Sequence, residues 1–120
     1  ICPSNPFLSI DPILSIKAIK DRLLLPEVSV TIVSPIIAGQ AVKGPTSKIM
    51  SELGLKQSAV GIAEHYADLA SNFVLDRQDA HAKEEIESYG LSVLVCNTLM
   101  KTLDEKTKLA DNVVKFISKS

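Results

Sequence analysis

Val28-Ser-Val-Thr-Ile-Val33, running into Ser34-Pro-Ile-Ile-Ala-Gly-Gln-Ala-Val-Lys-Gly-Pro45, is the stretch whose reading decides the fold. The first six residues are rich in β-branched side chains and apolar on both faces, the pattern of a strand buried inside a parallel sheet. The next twelve are punctuated by glycine and proline and end with Pro45, which suits the first turn of a helix because its missing N–H costs nothing there. Strand, loop and helix in this order form one βα unit. Gly39 and Gly44 are spaced like the glycines of a phosphate-binding loop, but Pro45 stands where that motif needs lysine, and Lys43 precedes the second glycine. A standard ATPase loop is therefore excluded. What survives is a backbone that a ligand can approach closely, facing a helix N-terminus suited to an anion such as a nucleotide. A plain strand-to-helix connection fits the same residues.

The alternation continues on both sides. Upstream, Ile1-Cys2 reads as a strand end and Pro3-Ser-Asn-Pro6 as a loop. Asp11 is expected as an N-cap with Pro12 behind it, and Ile13, Leu14, Ile16, Ile19 and Leu23 as one apolar helical face that Pro26 ends. Downstream, a helix is expected from about Pro45 to Leu53, stopped at Gly54, and another opening at Ser58. Phe73-Val-Leu75 reads as a strand, Ala82, Ile86 and Tyr89 as a helix closed by Gly90, and Leu91-Ser-Val-Leu-Val-Cys96 as the last strand. Thr102 with Glu105 forms a capping pattern for a terminal helix carrying Leu103, Leu109, Val113 and Ile117. Strands alternating with helices predict an α/β fold, a Rossmann-like, mostly parallel sheet with flanking helices.

The bulk numbers bound the function. The 120 residues are 46% hydrophobic and 22% charged, so the chain is globular. Thirteen basic against 14 acidic residues, a net charge of -1 and 4% aromatics argue against nucleic acid as a partner, since neither phosphate neutralisation nor base stacking is provided for. No apolar run approaches a membrane span and no signal peptide is visible, so a cytoplasmic protein is expected. Cys2 and Cys96 form no spaced motif and read as buried free thiols. Ile1-Cys2-Pro3 reads as a strand whose beginning lies upstream, so residues 1–120 are expected to be the C-terminal portion of a larger α/β domain.

Ligands of open parallel sheets bind beyond the carboxyl ends of the strands. Four segments qualify: Pro3 to Ser9, Ser34 to Thr46, Asp76 to Asp79 and Asn97 to Lys101. Ser4, Asn5 and Ser9 offer hydroxyl and amide groups beside prolines, and turn or capping duty would also explain them. His65 and His81 lie on expected helices with no metal spacing between them, and are expected at the surface. Asp76 and Asp79 are explained as a strand end and an N-cap. A nucleophilic triad, a metal cluster and an acid–base carboxylate pair all lack support.

Several segments together resemble the 2-phospho-L-lactate transferase family: Pro3-Ser-Asn-Pro-Phe-Leu-Ser-Ile-Asp-Pro-Ile-Leu14, Val33 to Pro45, Ser58-Ala-Val-Gly-Ile-Ala63, Phe73-Val-Leu-Asp76 and Asn97-Thr-Leu-Met100. Their order matches the C-terminal part of that family along nearly the whole chain, within a larger three-layer αβα domain. The resemblance implies transfer of a phospholactyl-type group from a guanosine diphospho-activated donor to the ribityl hydroxyl of a deazaflavin, releasing GMP, in coenzyme F-420 biosynthesis. It implies magnesium as cofactor, held by carboxylates outside this chain, and it implies a homodimer. By motif, Ser4, Asn5 and Ser9 fall near the donor phosphates, and Ser34, Gly39, Lys43 and Gly44 in the cleft shared by donor and deazaflavin. Ala38 departs from the family, which often has a second glycine there. The family's N-terminal half is not in this chain, so the chain alone is expected to be inactive. Two other readings stay open: a nucleotide-sugar-binding regulator of the gluconeogenesis-factor-like sister family, and an αβ unit with no ligand.

Overall fold

The computed structural model describes residues 1–41 and 44–119. In chain order the helices are α1 (Asp11–Leu14), α2 (Lys17–Leu23), α3 (Thr46–Glu52), α4 (Ala59–Tyr66), α5 (Lys83–Glu87) and α6 (Leu103–Ser118). The strands are β1 (Thr31–Val33), β2 (Ile36–Ile37), β3 (Gln40–Ala41), β4 (Asn72–Asp76) and β5 (Ser92–Cys96). A π turn over Pro6–Ile10 precedes α1, and a 3-10 turn over Arg77–Ala82 precedes α5.

The three expected strands form a parallel sheet, as predicted, and its order is β1-β4-β5, with Ile32 opposite Phe73 and Phe73 opposite Val93. Ile1 extends it: its nitrogen donates to the Thr31 carbonyl (2.7 Å) and its carbonyl accepts from Val33 N–H (3.0 Å). The first strand is shorter than expected. Residues 28–30 do not join the ladder, although the Val30 carbonyl still accepts from Ser71 and Asn72 N–H.

Successive strand side chains face opposite sides, so one sheet builds two cores. Ile32, Phe73 and Leu75 face Met50 of α3, Ile62, Ala63 and Tyr66 of α4, and Ile86 of α5. Val33, Val74 and Cys96 face Leu109 of α6, with Val113 and Phe116 packed behind. Helices thus cover both faces of the sheet. Phe73, Ile32, Ile62, Leu75 and Ile86 are fully buried, each contributing about 1.5–3 kcal/mol of transfer free energy.

Three local expectations are corrected. Asp11 is not an N-cap: the chain already coils from Pro6, and Asn5 caps it, its Oδ1 accepting from Phe7 N–H (2.9 Å) and Leu8 N–H (3.1 Å). The expected single helix is broken, because Ile16 adopts an extended backbone (φ -77°, ψ 106°) between α1 and α2. The break splits the apolar face. Leu14 and Leu23 pack on the core, while Ile13, Ile16 and Ile19 stay exposed.

The third correction concerns residues 36–41, read as loop but folded as an antiparallel hairpin, β2 with β3, Ile37 opposite Gln40. Its two turn residues, Ala38 and Gly39, both have positive φ (51° and 77°), as a two-residue turn matched to the strand twist requires. Glycine accepts this freely, whereas alanine is strained there. Asp79 braces the turn, its Oδ2 accepting from Ala38 N–H at 3.0 Å.

Other expectations hold. Gly54 follows α3 with Leu55 N–H returning to the Met50 carbonyl (2.8 Å). Ser58 caps α4 through Gly61 N–H and Thr102 caps α6 through Glu105 N–H.

Candidate functional site

All three parallel strands release the chain at one end of the sheet. There Ser34 leaves β1, Arg77 leaves β4 and Asn97 leaves β5, with the Pro3–Ser9 segment beside them. A cavity of about 350 Å³ opens at this end. Ser4, Asn5 and Ser9 line it from the N-terminal segment and Ser34 and Pro35 from the end of β1. Thr98 and Met100 line it beyond β5, and Lys106 overhangs from the second turn of α6. Four candidates from two sequence segments, Ser4, Asn5 and Ser9 from one and Ser34 from the other, therefore share one wall.

The hydrogen-bonding state of each group sets what it can still do. Asn5 spends its carbonyl oxygen on capping, but its Nδ2 is buried with no partner among the described residues. An unmatched buried donor costs about 1–3 kcal/mol, which a ligand acceptor would offset. Among the described residues the Ser4 and Ser9 hydroxyls and the Lys106 ammonium have no partner. Ser34 is already engaged: its hydroxyl donates to the Ile36 carbonyl (3.0 Å) and accepts from Ile36 N–H (3.2 Å), shaping the turn into β2. Thr98 donates its hydroxyl to Asp76 Oδ2 (3.0 Å), leaving it an acceptor toward the cavity.

Asp76, only 2% exposed, is the scaffold beneath the wall. Its Oδ2 also accepts from Thr98 N–H (2.8 Å), and its Oδ1 from Gln78 N–H (2.9 Å). One carboxylate thus ties the ends of β4 and β5 together. Asp76 and Asp79 do not act as a pair, since each serves backbone N–H groups of different loops.

Gly39 and Gly44 are not among the residues lining this cavity, and Lys43 lies outside the described residues. Gly44 has φ 72° with open space around it. The seven-residue α3 behind it carries a buried Thr46 hydroxyl with no partner among the described residues.

His81 is exposed, as expected. His65 is more engaged than its surface position suggested, with Nε2 2.9 Å from Asp11 Oδ1. Because an ionised carboxylate only accepts, the imidazole is the donor. Beside it, burial first and the Asp11 charge second push the Tyr66 phenol above its ordinary range, so it stays neutral. Burial, then Asp76, likewise raises the Cys96 thiol, which keeps it unreactive. Cys2, expected to be buried too, is exposed instead, because it lies at the edge of the sheet beside the Pro3 loop.

Magnesium, implied by the resemblance, does not fit the residues present. Among the described residues no three His, Cys, Asp or Glu side chains gather, and the cavity wall carries no carboxylate. Among them, too, no helix is long and apolar enough to cross a membrane.

Thr98 and Lys106 are the site residues that sequence reasoning did not single out. Thr98 sits inside a segment marked as a strand-end loop. Lys106 was masked by its place in a charged helix, though the Thr102 cap already placed it close behind β5.

The sequence family described as 2-phospho-L-lactate transferase CofD matches residues 1–118. The chain is 45% identical over 116 residues to a protein named 2-phospho-L-lactate transferase from Methanocaldococcus jannaschii, covering 97% of this chain and 36% of that one. Its likeness to the protein of the same name from Methanococcus maripaludis strain C7 is 44%, with the same coverage. With that from Methanosarcina barkeri it is 40% identical over 114 residues, 95% of this chain and 36% of the relative. The chain thus spans little more than a third of the length of these curated relatives. On a match that runs nearly end to end, the chain belongs to the 2-phospho-L-lactate transferase CofD family.

Proposed function

We propose that this chain supplies the phosphate-binding wall of a 2-phospho-L-lactate transferase acting in coenzyme F-420 biosynthesis. The observation that carries the reading is the cavity's inventory: an ammonium, an orphaned amide and two free hydroxyls converge, with no carboxylate among the lining residues. Such a wall favours an anion, and hydrogen bonds to charged groups are the stronger ones. The reaction is transfer of a phospholactyl-type group from a guanosine diphospho-activated donor to the ribityl hydroxyl of a deazaflavin. The acceptor oxygen forms a bond to the phosphorus bearing the lactyl group. The bridging P–O bond to the guanosine phosphate breaks, and the hydroxyl proton is released. GMP leaves.

The chain's own residues bind and orient. Ser4, Asn5, Ser9 and Lys106 hold the donor phosphates, and Lys106 offsets charge as the leaving group departs. By the resemblance, Ser34, Gly39, Lys43 and Gly44 are assigned to the region between donor and acceptor; of these Ser34 lines the cavity, and Lys43 lies outside the described residues. Positioning and charge neutralisation are the main sources of rate in phosphoryl transfer. No step is assigned to magnesium. Turnover belongs to the whole protein, of which relatives are nearly three times as long.

Calorimetric titration of the full-length protein tests this. GDP is expected to bind, guanosine about a hundredfold more weakly, and Lys106→Ala to cost roughly tenfold for GDP alone. Preference for a uridine diphospho-sugar over GDP would instead select the regulatory, nucleotide-sugar-binding reading.

A further inference from the structure

We infer that His65 is a positioning residue for the phosphate wall, acting through the π turn Pro6–Ile10; the inference rests on the function proposed above. This turn carries Ser9 and is started by the Asn5 cap, so its pose fixes two of the four donors. Internally it is short, five residues, with Ser9 N–H returning to the Asn5 carbonyl (3.0 Å) and Asp11 N–H to the Pro6 carbonyl, and Pro6 and Phe7 seat it on the core. Single π turns are uncommon and are held by their surroundings.

His65 provides that hold from 54 residues away in sequence. Its Nε2 donates to Asp11 Oδ1 at 2.9 Å, just beyond the end of the turn. Its ring meets Phe7, at the start of the turn, edge-on with centroids 5.0 Å apart. One imidazole thus grips both ends of the turn. It stands on the last turn of α4, whose inner face, Ile62, Ala63 and Tyr66, is buried in the main core. The same ring packs edge-on against Tyr66 at 5.0 Å, which limits its own rotation. The wall is therefore referenced to the core through His65, not through neighbouring residues alone. A displaced wall misplaces Asn5 Nδ2 and Ser9 relative to the phosphates without removing either. A misplacement near 1 Å is enough to cost up to about a hundredfold.

The test uses the full-length protein and two variants. His65→Ala is expected to weaken GDP binding about tenfold and to speed amide hydrogen exchange at Phe7, Leu8 and Ser9, with β4 and β5 unchanged. His65→Gln, whose amide can donate from nearly the same point, is expected to restore most of the affinity and protection. Unchanged exchange and unchanged GDP affinity in a folded His65→Ala protein would overturn the inference. So would faster exchange spread equally over β4 and β5, which would mean a general loss of stability. If the unsubstituted protein binds no GDP, the functional reading fails, and the exchange at residues 7–9 still decides whether His65 holds the turn.

Discussion

Gly61→Ala should destabilise the protein although it improves helix propensity. A Cβ at Gly61 would sit 2.0 Å from the Lys56 carbonyl oxygen, 3.0 Å from its carbon and 2.7 Å from Met50 Cε. Carbon contacts are comfortable at about 3.5 Å or more, so the carbonyl would have to retreat by roughly 1.5 Å. The Met50 terminus can swing away. The Lys56 carbonyl cannot do so cheaply, because it is backbone in the turn between α3 and α4 and accepts from Ser58 N–H at 2.9 Å. Alanine recovers about 1 kcal/mol of helix propensity. Overpacking of this severity costs about 3 kcal/mol, which leaves a net loss near 2 kcal/mol. In a protein of the relatives' size that lowers Tm by roughly 3 °C. Scanning calorimetry of the full-length protein reads it directly. An unchanged or raised Tm would refute the close packing of α4 on this turn, and with it the platform from which His65 acts.

Three more outcomes follow from the same geometry. Asp76→Ala strands Thr98 N–H, Thr98 Oγ1 and Gln78 N–H, and is expected to cost about 3 kcal/mol in urea unfolding; a cost under about 1 kcal/mol would contradict its role as the tie between β4 and β5. Ala38→Gly relieves the positive φ of 51° and is expected to stabilise the protein by about 0.5–1 kcal/mol, so a lower Tm would argue against the hairpin turn. Glu64, hydrogen-bonded by Tyr89 and paired with Lys56, has its carboxyl held below the ordinary 4.5, mainly by Tyr89. Because its folded pKa is depressed, its stabilisation is present above pH 4.5 and fades as pH falls through the lower folded value. Glu64→Gln should flatten that acid-side fall, and an identical pH profile would count against the network.

Much of the fold was readable because local and global preferences agree. Val28 to Val33, Phe73 to Leu75 and Leu91 to Cys96 are β-branched or apolar runs too short for helices, and Ser58 and Thr102 announce the helices that follow. The misses have physical causes. The hairpin at Ile36 to Ala41 uses Ala38-Gly39 where Asn-Gly would have advertised the turn, and its brace, Asp79, is distant in sequence. The break at Ile16 leaves isoleucines on a solvent face, so the apolar period there misleads. For the site, hydroxyls and an amide beside prolines drew attention to Ser4, Asn5 and Ser9. Their meeting with Lys106 depends on how α6 crosses the sheet, which pattern alone does not give.

The central claim is that the strand-end cavity holds the diphosphate of a guanosine-activated donor. A crystal structure of the full-length protein with GDP tests it most directly. The account predicts phosphate oxygens within about 3 Å of Asn5 Nδ2 and Lys106 Nζ. A diphosphate bound away from both residues, for instance against Gly44 and the start of α3, would contradict it.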